Sequence, residues 1–221
     1  MNYRVKKVEK DFVPDADVDN QTWMAAEVGR IGSWTWHKKN TKIPSVVFRM
    51  LWSTENLYLS FHVKEDWMLA RRTEFQSAVC RDSCVEFFTS PAIDGRYFNF
   101  EFNCIGTLLL GYGEGRVGRI EVPWKSAGKI QISTSLPKGK AILNPAACPV
   151  DGYVVECSIP FKLFNAHAPS GRPKAGDIWM ANFYKCGDEL PEPHWGSWSP
   201  VKTQKPDFHR PEHFGKIVFV S

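Results

Sequence analysis

Residues 97–103 read Tyr97-Phe-Asn-Phe-Glu-Phe-Asn103, and no other stretch limits the fold of this chain as tightly. Side chains along a strand point alternately to opposite faces. Phe98, Phe100 and Phe102 therefore share one face, and Tyr97, Asn99, Glu101 and Asn103 share the other. The aromatic face is built for a core. The other face sets amides, a carboxylate and a phenol in one row, which predicts a hydrogen-bonding surface for recognition. Residues 84–90 form the strand before it, and 91–95 form the turn between them. Pairing of the two places Glu86, which shares a face with Cys84 and Phe88, near Glu101 or Asn99.

The remainder of the chain has the same texture. Strands are predicted over 3–8, 46–52, 57–64, 107–112, 129–136, 153–159, 177–186 and 215–220. Ser53-Thr-Glu-Asn56 turns a hairpin, Pro160 opens one helical turn, and a Gly/Pro connection covers 170–176. Residues 67–79 read as irregular, partly helical chain. About ten short strands without a long helix predict an all-β, antiparallel sandwich or barrel. The length of 221 residues suits a single domain over 1–221.

Composition removes several classes. Lys and Arg number 28 against 24 Asp and Glu, and the surplus of +4 is scattered, so no nucleic-acid partner is expected. No apolar run approaches the ~20 residues of a membrane span. The first ten residues lack a signal peptide's apolar core, which as written addresses the chain to the cytoplasm. The six cysteines form no Cys-x-x-Cys pair, and buried thiols in a reducing compartment are expected ahead of disulfides.

Most catalytic and metal motifs fail on their spacing. No Gly-x-Ser-x-Gly elbow is present, and nothing ties Cys80, Cys84 and His62 together. The glycines from Gly111 to Gly118 precede no helix pattern, so they form no phosphate loop. Asp15, Asp17 and Asp19 alternate like part of a calcium loop but lack its Gly and terminal Glu, so a solvated loop is favoured. Pro211 between His209 and His213 breaks the helix a zinc pair would need, which favours a structural loop. Met50, Met68, His62, His209 and His213 are candidate axial ligands for a non-covalent haem. Glu86 and Glu101 could act as an acid–base pair on a glycoside. Their amide and aromatic neighbours favour binding of hydroxyls instead. Trp195-Gly-Ser-Trp198-Ser-Pro places two tryptophans in a Gly/Pro-rich loop, either to stack on a sugar ring or to plug the end of the sandwich.

Several segments together resemble carbohydrate-binding module family 9-like proteins, whose sandwich is related to the DOMON domains. They are Asp82-Ser-Cys-Val-Glu86-Phe-Phe, Tyr97 to Thr107, Ala181-Asn-Phe-Tyr-Lys, Ser197-Trp-Ser-Pro200 and Phe208 to Gly215. The resemblance runs from the Asp15 region to the end of the chain. It implies an antiparallel sandwich of jelly-roll type, often with structural calcium, that accompanies enzymes degrading plant polysaccharides and is usually extracellular or periplasmic. It implies a carbohydrate ligand such as the end of a xylan or glucan chain, held between two tryptophans, a carboxylate and amides. Glu86 matches the carboxylate, Trp198 the second clamp tryptophan, and Asn182 and Tyr184 are polar partners on one strand face. Cys80 stands where the first clamp tryptophan is expected. The expected binding set is therefore Glu86, Asn99, Glu101, Asn182, Tyr184, Trp195 and Trp198, without catalysis. The alternatives are a glycoside hydrolase using Glu86 and Glu101, or a haem-binding DOMON relative.

Overall fold

A computed structural model describes residues 1–168 and 172–221, so residues 170–171 of the connection expected over 170–176 lie outside the described chain. The strands are β1 (Asn2–Lys7), β2 (Gly29–Arg30), β3 (Ser45–Trp52), β4 (Asn56–Lys64), β5 (Trp67–Ala70), β6 (Cys84–Ser90), β7 (Tyr97–Asn103) and β8 (Leu108–Gly113). They continue with β9 (Ile120–Glu121), β10 (Gln131–Thr134), β11 (Ile142–Ala147), β12 (Tyr153–Pro160), β13 (Ile178–Cys186), β14 (Trp195–Ser197) and β15 (Gly215–Val220). Two short helices, α1 (Trp124–Ala127) and α2 (Phe161–His167), complete the regular elements, along with brief 3-10 turns.

One large sheet runs β10-β12-β4-β3-β1-β15-β13-β6-β7-β8-β9, with β14 beside β13 and β2 beside β3. β5 and β11 form a small second sheet. The main sheet curls until its halves face each other. Phe48 of β3 stacks on Phe183 of β13 with ring centroids 3.7 Å apart, although β1 and β15 separate those strands in the sheet. Phe61, Phe87, Phe98 and Phe100 fill the space between the layers. Each such ring contributes about 1.5–3 kcal/mol by leaving water. The result is all-β and consistent with a β-sandwich.

The architecture departs from the sequence expectation in two respects. The strands exceed ten, and the sheet is mixed, because β1 lies parallel to both β15 and β3. Parallel neighbours need long crossovers, so local hairpin signals do not reveal them. The strands without a sequence signal have identifiable reasons. β5 is an unbroken apolar run, Trp-Met-Leu-Ala, which carries no period of two. β11 contains Pro145 and a register shift, as an irregular edge strand does.

β7 also differs from expectation in its surroundings. Both of its faces are buried. Phe98, Phe100 and Phe102 enter the main core, whereas Tyr97 joins Phe88, Tyr184, Val201, Phe208 and Phe214 in a second cluster. The segment from Val201 to Phe214 thus lies across the polar face of the β13-β6-β7 layer and leaves only part of it open.

Candidate functional site

Strand register assembles the site. β6 and β7 pair with Glu86 opposite Glu101 and Phe88 opposite Asn99. β13 and β6 pair with Tyr184 opposite Glu86 and Cys186 opposite Cys84. Directly opposed side chains share a face with Cβ atoms about 4.5–5.5 Å apart. The alternation that drives the three phenylalanines inward therefore presents both glutamates on one floor. A 400 Å³ cleft opens over them. Cys80, Cys186, Asp188 and Trp195 form one wall, and Arg116 with the Lys205–His209 segment forms the other.

The glutamates are held by neutral groups. The Cys186 thiol lies 3.1 Å from Glu86 Oε1, and Asn99 Nδ2 donates to Glu101 Oε1 at 2.7 Å. Glu86 and Glu101 are 2% and 6% exposed, and among the described residues no lysine or arginine side chain hydrogen-bonds to either. Burial and the facing Glu101 charge push the Glu86 carboxyl well above the ordinary carboxylate range. Burial raises Glu101 as well, partly offset by Asn99 and Arg119. Two facing carboxyls in this state retain a proton beyond the usual pH, so the floor offers both a donor and acceptors. Burial likewise raises Asp188, whose carboxylate accepts from Trp195 Nε1 at 2.7 Å.

Arg119 is tied to the floor at one remove. Its guanidinium donates to Asn99 Oδ1, approaches His209 Nδ1 at 2.6 Å and lies over the Tyr97 ring at 5.1 Å. Gly111, opposite Asn99 on β8, makes this approach feasible, because a Cβ there would come within 2.7 Å of Asn99 Oδ1. Burial and the Arg119 charge lower His209 to about 3, so its ring is neutral when it meets Tyr97 Oη at 2.8 Å.

The expected residues divide on inspection. Glu86, Glu101 and Trp195 line the cleft, and Asn99 orients Glu101 beneath it. Tyr184 is fully buried under the cleft, stacked on Phe208 at 4.1 Å with its hydroxyl on the Phe208 carbonyl. Asn182 faces backbone, donating to the Ser199 carbonyl and accepting from the Phe183 and Ser199 amides. Trp198 requires a correction. It packs edge-on against Phe48 and Phe183 in the main core and has no face free to stack. The reason is spacing. Trp195 and Trp198 are three residues apart, and an odd offset in extended chain sends them to opposite faces. Trp195 pairs with Cys186 and so takes the cleft side. Sequence reasoning missed Arg116, Asp188 and Asp207, which come from loops, where no period announces direction.

The other chemistry expected from the sequence is dispersed. Met50 and Met68 are core side chains, His62 meets the Asp151 carbonyl, and His209 is held by Tyr97 and Arg119. These haem-ligand candidates stand on separate elements. In the acidic loop, Asp15 accepts from the Asp17 amide and from Asn20, and Asp17 accepts from the Asp19 amide. That is a chain of side chain-capped turns. No helix among the described residues is long and apolar enough to cross a membrane.

A family model for carbohydrate-binding family 9 matches residues 17–219. A crystal structure of a Bacteroides uniformis protein, with carbohydrate binding as its proposed role, superposes with a TM-score of 0.86 at 31% identity, covering 99% of this chain and 98% of that one. A family 9 module from Caldicellulosiruptor kristjanssonii in complex with cellotriose superposes at 0.66 and 16% identity, covering 100% and 94%. A glucose complex from the same organism gives 0.64 at 16% identity, covering 98% and 95%. No curated protein matches this chain.

Proposed function

The chain belongs to carbohydrate-binding family 9, and on that premise we propose that it binds an oligosaccharide, without catalysis, in the cleft over Glu86 and Glu101. The observation that carries this reading is the pairing of two buried, facing carboxyls on a cleft floor with an indole on its wall. Sugars offer hydroxyls that donate and accept, and an apolar ring face. A partly protonated carboxyl pair answers the first, and Trp195 answers the second. Arg116 and Lys205 supply further donors at the rim. The loss of an aromatic clamp at Cys80 leaves one stacking wall where a two-sided grip is expected from the family resemblance.

Binding is favoured over hydrolysis by geometry. A glycosidase sets its two carboxyls on either side of the scissile bond. Glu86 and Glu101 are adjacent on the same floor and approach a bound ring from one side. The ligand class we infer is a plant-type glucan or xylan oligosaccharide, in support of glycan degradation. Two relatives bound to cellotriose and glucose make glucose-based chains the first choice. Titration calorimetry with cello- and xylo-oligosaccharides tests the reading. Heat is expected with at least one series, weakened at least about tenfold, or ~1.4 kcal/mol, in Trp195→Ala. Absence of heat across a broad glycan panel overturns it.

A further inference from the structure

The wall of the cleft holds a second kind of chemistry. Cys84 and Cys186 are cross-strand partners, and Glu86 lies two residues along β6 on the same face. Their two sulfurs and one carboxylate oxygen all lie within 4.8 Å of one another. Among the described residues, no other set of three His, Cys, Asp or Glu side chains converges in this way. All three are more than nine-tenths buried, yet Glu86 and Cys186 also line the open cleft. A small ion in the cleft therefore meets Glu86 and Cys186, and Cys84 stands beside Cys186 in the strand pair.

We propose that Cys84, Glu86 and Cys186 form a binding site for a thiophilic divalent cation of the zinc class. Two thiolates select a soft or borderline metal over calcium or magnesium, which take shells of oxygen. Tetrahedral zinc, with bonds of about 2.3 Å to sulfur and 2.0–2.2 Å to oxygen, sets its ligand atoms about 3.5–3.8 Å apart. The Cys186 sulfur and Glu86 oxygen stand at 3.1 Å, so a small adjustment opens the triangle to fit. Three protein ligands leave a fourth position, and Cys80 and Asp188 line the same cleft as Glu86 and Cys186. Coordination replaces the thiol protons, which leave to solvent, so affinity rises with pH. The site shares Glu86 with the proposed sugar floor, but it stands on the thiol geometry and needs no sugar.

The test uses the reduced chain of residues 1–221. Zinc is counted by elemental mass spectrometry after dialysis, and cadmium is titrated while the ultraviolet cadmium–thiolate band is followed. One ion per chain is expected, with a cadmium band and a raised unfolding midpoint. Affinity is expected to fall at least about tenfold in Cys84→Ser, Cys186→Ser and the near-isosteric Glu86→Gln, and to be unchanged in Cys148→Ser. Circular dichroism confirms that each variant is folded. If a cysteine variant does not fold, Glu86→Gln decides. The proposal is overturned if no ion binds, if binding survives in these three variants, or if it is lost in Cys148→Ser.

Discussion

Two buried carboxylate groups sit on the same main sheet and are handled in opposite ways. Glu65, just after β4, has Lys185 Nζ 2.9 Å from Oε2 and the Tyr153 hydroxyl 2.8 Å from Oε1. Lys185 and Glu65 expose 0% and 2% of their side chains. Glu86 and Glu101 are as deeply placed but face each other, with a thiol and an amide as their contacts. A cleft lies over each region. The one beside Glu65 measures 510 Å³ and is bordered by Trp67 and His194. Removing a charge from water costs several kcal/mol unless a partner offsets it. At Glu65 the partner is built into the chain, so the charge serves the fold. At Glu86 and Glu101 the offset is left to protons and to whatever enters the cleft. A buried titratable group without a charge partner, set in a cleft, is a candidate ligand site.

The largest effect expected from this contrast falls on Lys185. Lys185→Met strands the Glu65 charge and lowers stability by about 3–5 kcal/mol in urea denaturation. Oligosaccharide binding by the remaining folded protein is expected to be unchanged. A stable Lys185→Met variant would break the contrast. Trp198→Ala is of the same order, at about 3–5 kcal/mol, because it empties the core between Phe48 and Phe183. Trp195→Ala is expected to change stability by less than about 1 kcal/mol while weakening sugar binding, the reverse of Trp198→Ala.

The two regions are also expected to answer pH with opposite signs. Glu86 and Glu101 are raised above the ordinary 4.5, so above that value the folded chain holds more protons than the unfolded one. Their contribution to stability is present below about 4.5 and is lost as pH rises through the folded values. Glu86→Gln removes part of that loss, so its stability relative to wild type is expected to grow as pH rises above 4.5. His194, beside Glu65, is lowered from 6.5 to about 3, chiefly by burial. Its contribution is present above 6.5 and is lost as pH falls toward 3, and His194→Gln flattens that limb. Parallel pH profiles for the two variants would contradict the assignment of opposite roles. The smallest effect is expected at the exposed pair Asp94–Arg96, where Asp94→Ala changes stability by less than about 0.5 kcal/mol in the same urea assay.

Strand alternation made the floor of the site legible in the sequence. The period of two around Phe98–Phe102 fixes the face of Glu101, and the hairpin brings Glu86 opposite it. The same rule, applied to the odd offset between Trp195 and Trp198, separates cleft from core, but the Gly/Pro-rich setting hides that both lie on or beside a strand. Asn182 and Asn103 look like recognition groups, yet both hold backbone. Asn103 donates to the Arg72 carbonyl and to Asp82 and accepts from the Thr107 amide. Whether an amide faces a ligand or a neighbouring chain segment depends on tertiary neighbours that no local pattern carries. The parallel pairing of β1, the cover formed by residues 201–214 and the Lys185–Glu65 pair are long-range for the same reason.

On the proposed function, sugar enters the cleft with unpaired carboxyls and not the larger one beside the paired carboxylate. A crystal structure of the chain soaked with a cello- or xylo-oligosaccharide that gives heat in calorimetry tests this directly. A sugar ring against Trp195 is expected, with hydroxyls in hydrogen-bond reach of Glu86 or Glu101. A sugar seated instead between Trp67 and His194, with the Glu86–Glu101 floor bare, would contradict it.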